Sequence, residues 1–305
     1  MQLCPVCDAA ARTTATLGAE HIRERLAEEF GAPVPRAIAV ADYEMRQCGA
    51  CNLVFADPMR AGSTEFYQWV TGFPEYHADA RWEWGVVRRI LKERTRGKLL
   101  ELGCGEGRFL KAIADLEHVD AQGIDLSEAA IAVARAAGLS ARRASIEEFL
   151  GGQERFDLIF MSHVLEHVED PLAVVKNCKN LLNPGGEIIF SVPYSPTSRE
   201  YLRLDIMNLP PHHLTRWNMA SLRRLAEIAR LKLAYEMREA KPVLKRALRH
   251  TVESVNGPGK SGALRTAGTV LSHPKLFSKA IELFRSRERI DGRRAADEIL
   301  VRLSL

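Results

Sequence analysis

From residue 97 to residue 192 the chain alternates short apolar runs with amphipathic stretches. Leu99, Leu100 and Leu102 form the first run, followed by Val119–Ile124, Leu139–Ala144, Phe156–Met161 and Glu187–Val192. Between them lie helical patterns: Phe109, Leu110, Ile113 and Leu116, then the alanine-rich Ser127–Ala137, then Leu172–Leu182. Strand-length apolar runs that alternate with helix-period segments predict βαβ units and a buried parallel sheet. Ser127 is placed to cap its helix and Gly138 to end it. A helix over Gly85–Thr95 leads into the first run. A helix over Ala220–Leu231, a strand over Leu231–Arg238 and a terminal strand over Glu298–Leu305 follow.

The first run enters a glycine-rich turn, Gly103-Cys104-Gly105-Glu106-Gly107. Glycine tolerates strained dihedrals and lets backbone approach a ligand closely. In a doubly wound α/β domain, ligands sit where such strands end. The spacing is G-x-G-x-G, not the G-x-G-x-x-G of the dinucleotide fingerprint. Glu101 stands two residues before the first glycine, and Asp125 ends the second run.

This arrangement resembles the class I S-adenosylmethionine (SAM)-dependent methyltransferases, whose first motif reads acid-x-G-x-G-x-G. The likeness covers roughly residues 81 to 238 plus the last strand. It implies a Rossmann-like seven-stranded sheet with its last strand antiparallel, and a helical insertion at about 240–294. Gly103, Gly105 and Gly107 would line the methionine part of SAM, with Glu101 and Cys104 beside them. Asp125 and Leu126 would meet the ribose side. The family carries an acid after the third strand to meet the adenine amino group. Ser145 and Ile146 stand there instead, so Ile146 would pack on the ring and a backbone amide would read its edge.

The fourth strand runs into Ser162-His163-Val164-Leu165-Glu166-His167-Val168-Glu169-Asp170-Pro171. LEHVEDP is frequent in this methyltransferase group, and Ser162 and His163 fall where methyl group and acceptor would meet. In ubiquinone-type O-methyltransferases a similar cluster can hold a divalent metal. Here His163, Glu166 and His167 have the spacing of one helical face, and bracing of the turn by hydrogen bonds is the preferred reading.

After the fifth strand comes Leu209-Pro210-Pro211-His212-His213-Leu214-Thr215-Arg216-Trp217. Similar stretches lie over the active site in sugar and glycan methyltransferase relatives. An alcohol acceptor must lose its proton as it attacks a methyl carbon, and histidine is the usual general base near neutrality. His213 is the preferred base, with His212 in support. Tyr67 and Tyr76, in an aromatic-rich stretch over residues 61–84, are expected as a lid over the substrate.

Ahead of all this stand Cys4-Pro-Val-Cys7 and Cys48-Gly-Ala-Cys51. Two such knuckles can set Cys4, Cys7, Cys48 and Cys51 at the corners of a tetrahedron, as in a closed structural zinc site. A disulfide pair or a redox couple suits a reducing compartment and two separate knuckles less well. An independent helix, His21–Phe30, would loop out between them. Tyr43–Pro58 resembles the second half of the zinc module ahead of many bacterial sugar and glycan methyltransferases. The expected division is a zinc module over 1–60 and a methyltransferase domain over 61–305.

Composition adds little beyond bounds. Of 305 residues, 46% are apolar and 27% charged, as in an ordinary globular chain. No apolar run has the length of a membrane span. The N-terminus lacks a secretory pattern, so the cytoplasm is the expected compartment. Net charge is +4, but residues 241–294 hold 13 Lys/Arg against 4 Asp/Glu. That stretch reads as solvated helical faces, with an anionic substrate such as a nucleotide-linked sugar as the sharper alternative. Its apolar spacing predicts two or three helices, for which a cap over the substrate or a subunit contact is expected. Gly257–Gly262 lacks the frame of a phosphate loop. The combined expectation is O-methylation of a sugar, glycan or other small hydroxylated metabolite. C- or N-methylation of a deoxy-sugar is the nearest alternative, and an rRNA methyltransferase ranks lower because the basic stretch has no interleaved aromatics.

Overall fold

The structure, a computed structural model, describes residues 3–73, 76, 80–197, 200, 206–237, 242–256, 263–286, 289–290, 293–294 and 297–305. The loop over Gly257–Gly262 lies outside them.

The N-terminal elements are β1 (Ala11–Leu17), α1 (Ala19–Phe30), β2 (Tyr43–Cys48), β3 (Val54–Asp57) and α2 (Thr64–Thr71). Ile22 and Leu26, one turn apart on α1, are its buried residues, and Gly31 takes the left-handed conformation (φ 68°) that ends it. Ser63 caps α2 by accepting from the Phe66 amide at 3.2 Å.

The central elements alternate as the sequence pattern predicts. They are α3 (Trp82–Lys92), β4 (Gly97–Leu102), α4 (Arg108–Ala112), β5 (Val119–Asp125), α5 (Glu128–Ala136), β6 (Ala141–Arg143), β7 (Phe156–Ser162), α6 (Pro171–Asn180) and β8 (Leu182–Pro193). Ser127 does cap α5, accepting from Ala130 N, and Gly138 follows it at φ 77°. The strand β8 starts earlier than its apolar run, because Leu182 already pairs with Phe156.

The chain continues with β9 (Thr215–Arg216), α7 (Met219–Ala229), β10 (Lys232–Met237), α8 (Val243–Asn256), α9 (Ala263–Ser272), α10 (Pro274–Ser286), a small hairpin β11 (Arg289–Ile290) and β12 (Arg293–Arg294), and β13 (Glu298–Ser304). Asn218 and Ser221 form a reciprocal capping box at the start of α7. Among its described residues the basic insertion holds three helices and that small hairpin.

Seven strands form one sheet in the order β10-β13-β8-β7-β4-β5-β6. The pairs β6–β5, β5–β4, β4–β7 and β7–β8 are parallel, and β13 is antiparallel. The chain leaves β4 toward β5 and β6, then returns to the other side of β4 as β7. The crevice at the carboxyl ends of β4 and β7 is thus the topological switch point, where ligands bind in open α/β sheets. Beneath it lies a core of Leu99, Phe109, Leu110, Leu158, Phe160 and Ile189, all essentially inaccessible to solvent.

A second sheet has the order β1-β2-β3-β9. Its last strand comes from a segment 158 residues beyond β3, so the N-terminal module is not closed on itself. Its core joins Leu17, Ile22, Leu26 and Phe66 to Leu209 and Leu214. Residues 1–193, 206–236 and 300–305 form one compact unit, and residues 194–205 and 237–299 form another. The expected boundary near residue 60 therefore falls inside the first unit. Within the second, α8 and α10 pack Ala247, Ala280 and Phe284 together, with the Arg246 guanidinium 4.6 Å from the Phe284 ring centre. Among the described residues no helix is long and apolar enough to cross a membrane.

Two glycines separate strain from crowding. Gly107 has φ 78°, and a Cβ there would lie 2.5 Å from Leu139 Cδ1. Gly138 has φ 77° with nothing within 4 Å of the added carbon. Gly107→Ala should cost about 3 kcal/mol of stability, backbone strain plus overpacking, and Gly138→Ala about 1 kcal/mol from strain alone. Denaturant midpoints of the two variants check the difference.

Candidate active site

The turn after β4 is built by its neighbour β5. The amides of Gly103 and Cys104 both donate to the Ile124 carbonyl, at 2.8 and 3.0 Å. Gly103, Gly105 and Gly107 all have positive φ. Asp125 lies against the bend: Oδ2 accepts from the Gly105 amide and Oδ1 from the Ser127 amide, both at 2.8 Å. A Cβ at Gly105 would meet nothing within 4 Å, so the turn faces open space at its apex. Glu101 is buried beneath with Oε2 unpartnered. Burial, and the nearby Asp125 charge, push its carboxyl well above the usual carboxylate range.

The other expected cofactor residues line the same edge. Ser145 and Ile146 follow β6, and the Ser145 amide donates to Glu148 Oε1 at 2.8 Å. Ile146 is buried, whereas Leu126, just past β5, is 72% exposed. Cys104 is buried within the turn. Ser162 ends β7, where its hydroxyl donates to Glu83 Oε1 at 3.0 Å and accepts from Trp84 Nε1 at 3.3 Å.

The stretch after β7 is a turn, not the helix that the spacing of His163, Glu166 and His167 suggests. His163 takes a left-handed conformation (φ 55°), and this reverses the chain within hydrogen-bond reach of its own partner. Its Nδ1 lies 3.1 Å from Glu166 Oε1, and its Nε2 is 3.6 Å from Glu83 Oε1. Ser191, on β8, also donates to Glu83 Oε1, at 3.3 Å. Glu166 is fully buried. Burial works to raise its pKa, but the hydrogen bond and charge of His163 outweigh it and hold the carboxyl below its ordinary value. Glu83 Oε2, Glu166 Oε2 and His163 Nε2 have no hydrogen-bond partner. Glu83 was not foreseen as part of this group. Its signal was an acid in register with Val86, Val87, Ile90 and Leu91 on the apolar side of α3.

The two-histidine loop completes the cluster. His213 Nδ1 is 2.9 Å from Asn208 Oδ1, which fixes the Nδ1–H tautomer and leaves a lone pair on Nε2. That Nε2 stands 4.0 Å from Glu166 Oε1. His212 is different, because both its nitrogens are engaged. Nδ1–H donates to the Met207 carbonyl at 2.8 Å, and Nε2 accepts from the Tyr76 hydroxyl at 3.0 Å. His167 Nδ1–H donates to the His212 carbonyl at 2.6 Å, and the Tyr67 hydroxyl reaches the same carbonyl at 3.4 Å. The two tyrosines expected as a lid are thus packed against the histidines. Burial is the first cause that drives the His212 imidazole down to about 3 and those of His167 and His213 below their ordinary range.

Among the described residues, two groups have the composition of a metal site. The nitrogens of His167, His212 and His213 lie within 4.8 Å of one another. The rings of His212 and His213 are stacked, 4.4 Å apart and 21° from parallel, so their in-plane lone pairs run side by side. That arrangement suits a hydrogen-bonded stack better than convergence on one ion. The other group is the four cysteines. Cys4–Cys51, Cys7–Cys48 and Cys7–Cys51 have Sγ separations of 3.7, 3.5 and 3.7 Å. Sulfurs about 2.3 Å from a tetrahedral centre would lie about 3.8 Å apart, whereas a disulfide needs about 2 Å. The knuckles are alike: Asp8 donates to the Cys4 carbonyl and Asn52 to the Cys48 carbonyl, and both donors have positive φ. The hydrogen bond from Cys51 is the main cause lowering the Cys4 thiol to about 5.

A family model described as "Methyltransferase domain" matches residues 75–235. Among curated proteins, the ubiquinone biosynthesis O-methyltransferase of Histophilus somni (strain 2336) is 36% identical over 108 residues, 32% of this chain and 45% of that protein. The protein of the same name from Bordetella avium (strain 197N) is 34% identical over 118 residues, 36% of this chain and 48% of that protein. The chain spans about half the length of the curated relatives it matches. Among solved structures, a SAM-dependent methyltransferase from Mesorhizobium loti is 20% identical with a TM-score of 0.47, covering 74% of this chain and 98% of that one. Another from Archaeoglobus fulgidus is 14% identical with a TM-score of 0.47, covering 73% and 94%.

His212 and His213, both buried, and the half-buried His167 make the fold sensitive to acid. Their folded pKa values lie below the unfolded value near 6.5, so the unfolded chain binds more protons as pH falls through that value. Stability should therefore be fully present above about pH 7 and fall on acidification, by up to about 1.4 kcal/mol per pH unit for each histidine. Thermal melts between pH 7.5 and 5 should show this drop, and His212→Gln should shallow it.

Proposed function

The chain belongs to the methyltransferase-domain family, and from that premise we propose that it moves a methyl group from SAM to a hydroxyl oxygen of a small acceptor. A sugar or nucleotide-linked sugar is the favoured acceptor, on the resemblance of its Tyr43–Pro58 and Pro-Pro-His-His stretches to sugar and glycan methyltransferases. O-methylation also agrees with the names of the curated relatives. The observation that carries the reading is His213. Its Nδ1–H is tied to Asn208, and its free Nε2 lone pair stands 4.0 Å from the Glu166 carboxylate at the end of β7.

The residues at the switch point fit SAM. The orphaned Glu101 Oε2 is a buried acceptor with no donor from the chain, as an ammonium group would require. The open apex at Gly105 leaves room for a ligand backed by the bend. Gly103, Gly105 and Gly107 would cradle the methionine part, Asp125 would hold the ribose, and Ile146 would pack on the adenine. When bound, SAM supplies a methyl group already activated on a sulfonium. The chain's own work is then alignment and proton removal. His213 Nε2 takes the hydroxyl proton as the acceptor oxygen attacks. Asn208 keeps the tautomer in which that lone pair exists, and the Glu166 carboxylate stabilises the imidazolium that forms. His212, with both nitrogens occupied, braces the loop together with Tyr76 and Met207. His163, held between Glu83 and Glu166, borders the methyl path. For the four cysteines we propose a structural zinc ion, which their tetrahedral spacing supports.

A screen of nucleotide-sugars, glycans and phenolic hydroxyl compounds with labelled SAM, read by mass, tests the acceptor. Transfer to a hydroxyl oxygen is expected, and methylation of RNA alone would overturn the reading. His213→Ala should lower kcat at least 100-fold with SAM affinity within twofold, whereas near-normal turnover would remove His213 as base. Because burial holds the His213 pKa well below its ordinary value, kcat/KM for the acceptor, measured at saturating SAM, should stay flat from pH 8 to 6. Asn208→Asp places a carboxylate on Nδ1–H, raises the histidine pKa and moves the acid limb of that profile upward. Glu101→Gln should weaken SAM binding about tenfold. In the unaltered protein SAM affinity should rise with pH, because a bound cation favours the ionised carboxylate. Calorimetry checks both.

A further inference from the structure

The cysteine cluster and the base loop are joined through backbone. Cys51 is followed by Asn52, whose carbonyl accepts from Asn218 Nδ2 at 2.7 Å, just past the loop. The Cys48 amide donates to the Leu53 carbonyl at 2.9 Å, and β3 begins at the next residue. Strand β3 then pairs with β9, Val54 opposite Arg216 and Phe55 opposite Thr215. The Ala56 amide donates to the Leu214 carbonyl at 2.8 Å. On its other side, the Leu214 amide donates to the Glu166 carbonyl at 2.7 Å, and Thr215 to the same oxygen at 3.2 Å. The residue after His213 is therefore clamped between the cysteine-bearing sheet and the turn at the end of β7. Leu214 is fully buried, as are Leu53 and Phe55.

We propose that the four-cysteine site is a positioning device for the base: an ion held there fixes β3, and β3 fixes the height of His213 against Glu166. The physical reason is the size of β9. It has two residues, too few to hold a register alone, and its pairing partner β3 has only four. On its other edge β3 pairs with β2, whose last residue is Cys48, so the knuckle tethers both the end of β2 and the start of β3. The glycine turn takes its hydrogen bonds from β5, not from β3 or β9. Loss of the ion should therefore disable proton removal and spare cofactor binding. This inference rests on the zinc and base assignments above.

The test uses the metal-loaded full chain, treated with 1,10-phenanthroline and then resupplied with Zn²⁺. Four quantities are read: metal content, SAM affinity by calorimetry, kcat, and amide hydrogen exchange. On stripping, exchange at Ala56 and Leu214 should quicken at least tenfold and kcat should fall at least tenfold. SAM affinity should stay within twofold, β4 amides should stay protected, and Zn²⁺ should restore both losses. Ala56→Pro removes the amide that holds Leu214 without touching a cysteine. It should retain metal and SAM affinity but lose turnover to a similar extent. Unchanged exchange and kcat on stripping would overturn the inference. So would simultaneous loss of SAM binding and β4 protection, which would make the ion a support of the whole fold. A purified chain that carries no metal would overturn it too. If the loaded protein methylates no hydroxyl acceptor, the functional reading fails, while exchange at Leu214 still decides the coupling.

Discussion

Parallel pairing of β4 with β7, Leu99 with Leu158 through to Leu102 with Met161, is the constraint on which the site depends. Two chain segments that are 59 residues apart end side by side because their backbones share one ladder. The glycine turn leaves the first and the His163 turn leaves the second. The return of the chain to the far side of β4 opens the crevice between them, and no residue in either turn could create it alone. A fully buried ladder of apolar side chains tolerates little displacement, so the two turns face each other at a set distance.

Around that crevice the chain buries an unusual number of ionisable groups. Glu83, Glu101 and Glu166 are all within a few per cent of full burial, and His212 and His213 are nearly so. Each isolated buried charge would be costly. The arrangement manages the cost in different ways. Glu166 is held ionised beside His163, Glu101 is pushed toward its neutral form, and the histidines are driven to free bases. A free-base imidazole whose other nitrogen is pinned is ready to accept a proton. A carboxylate 4.0 Å away lowers the cost of the charge that results. Groups whose environments push their ionisation apart are the expected mark of an acid–base site.

Backbone hydrogen bonds join the cysteine-bearing sheet to the same region. Residues 206–216 are shared property: Leu209 and Leu214 complete the core under the cysteine-bearing sheet, while His213 faces the Glu166 carboxylate and Asn208 pins its other nitrogen. The loop therefore sits at the seam of two sheets within one compact unit. A side chain carried on such a seam is placed by backbone ladders on both sides, which restricts its motion more than a free loop would allow.

Much of this was legible in the residues alone. The alternation of strand-length apolar runs with helical patterns determined β4 to β8 and their order, because burial on both faces demands continuous apolar runs and crossovers demand helices. The glycines, Asp125, the Ser127 cap and the paired C-x-x-C knuckles carry their meaning locally, in backbone dihedrals and ligand spacing. What only the tertiary structure decided are relations without a local signature. The two residues of β9 have no periodicity to read, and nothing in them announces β3 as a partner. His212 and His213 are chemically identical neighbours, and only Tyr76, brought in from 136 residues away, together with Met207 and Asn208 of the same loop, makes one a brace and leaves the other its lone pair. The turn at His163 broke a helical spacing because its hydrogen bonds to Glu166 and the approach of Glu83 outweighed local preference. Local physics determined the elements, whereas long-range packing assigned their roles.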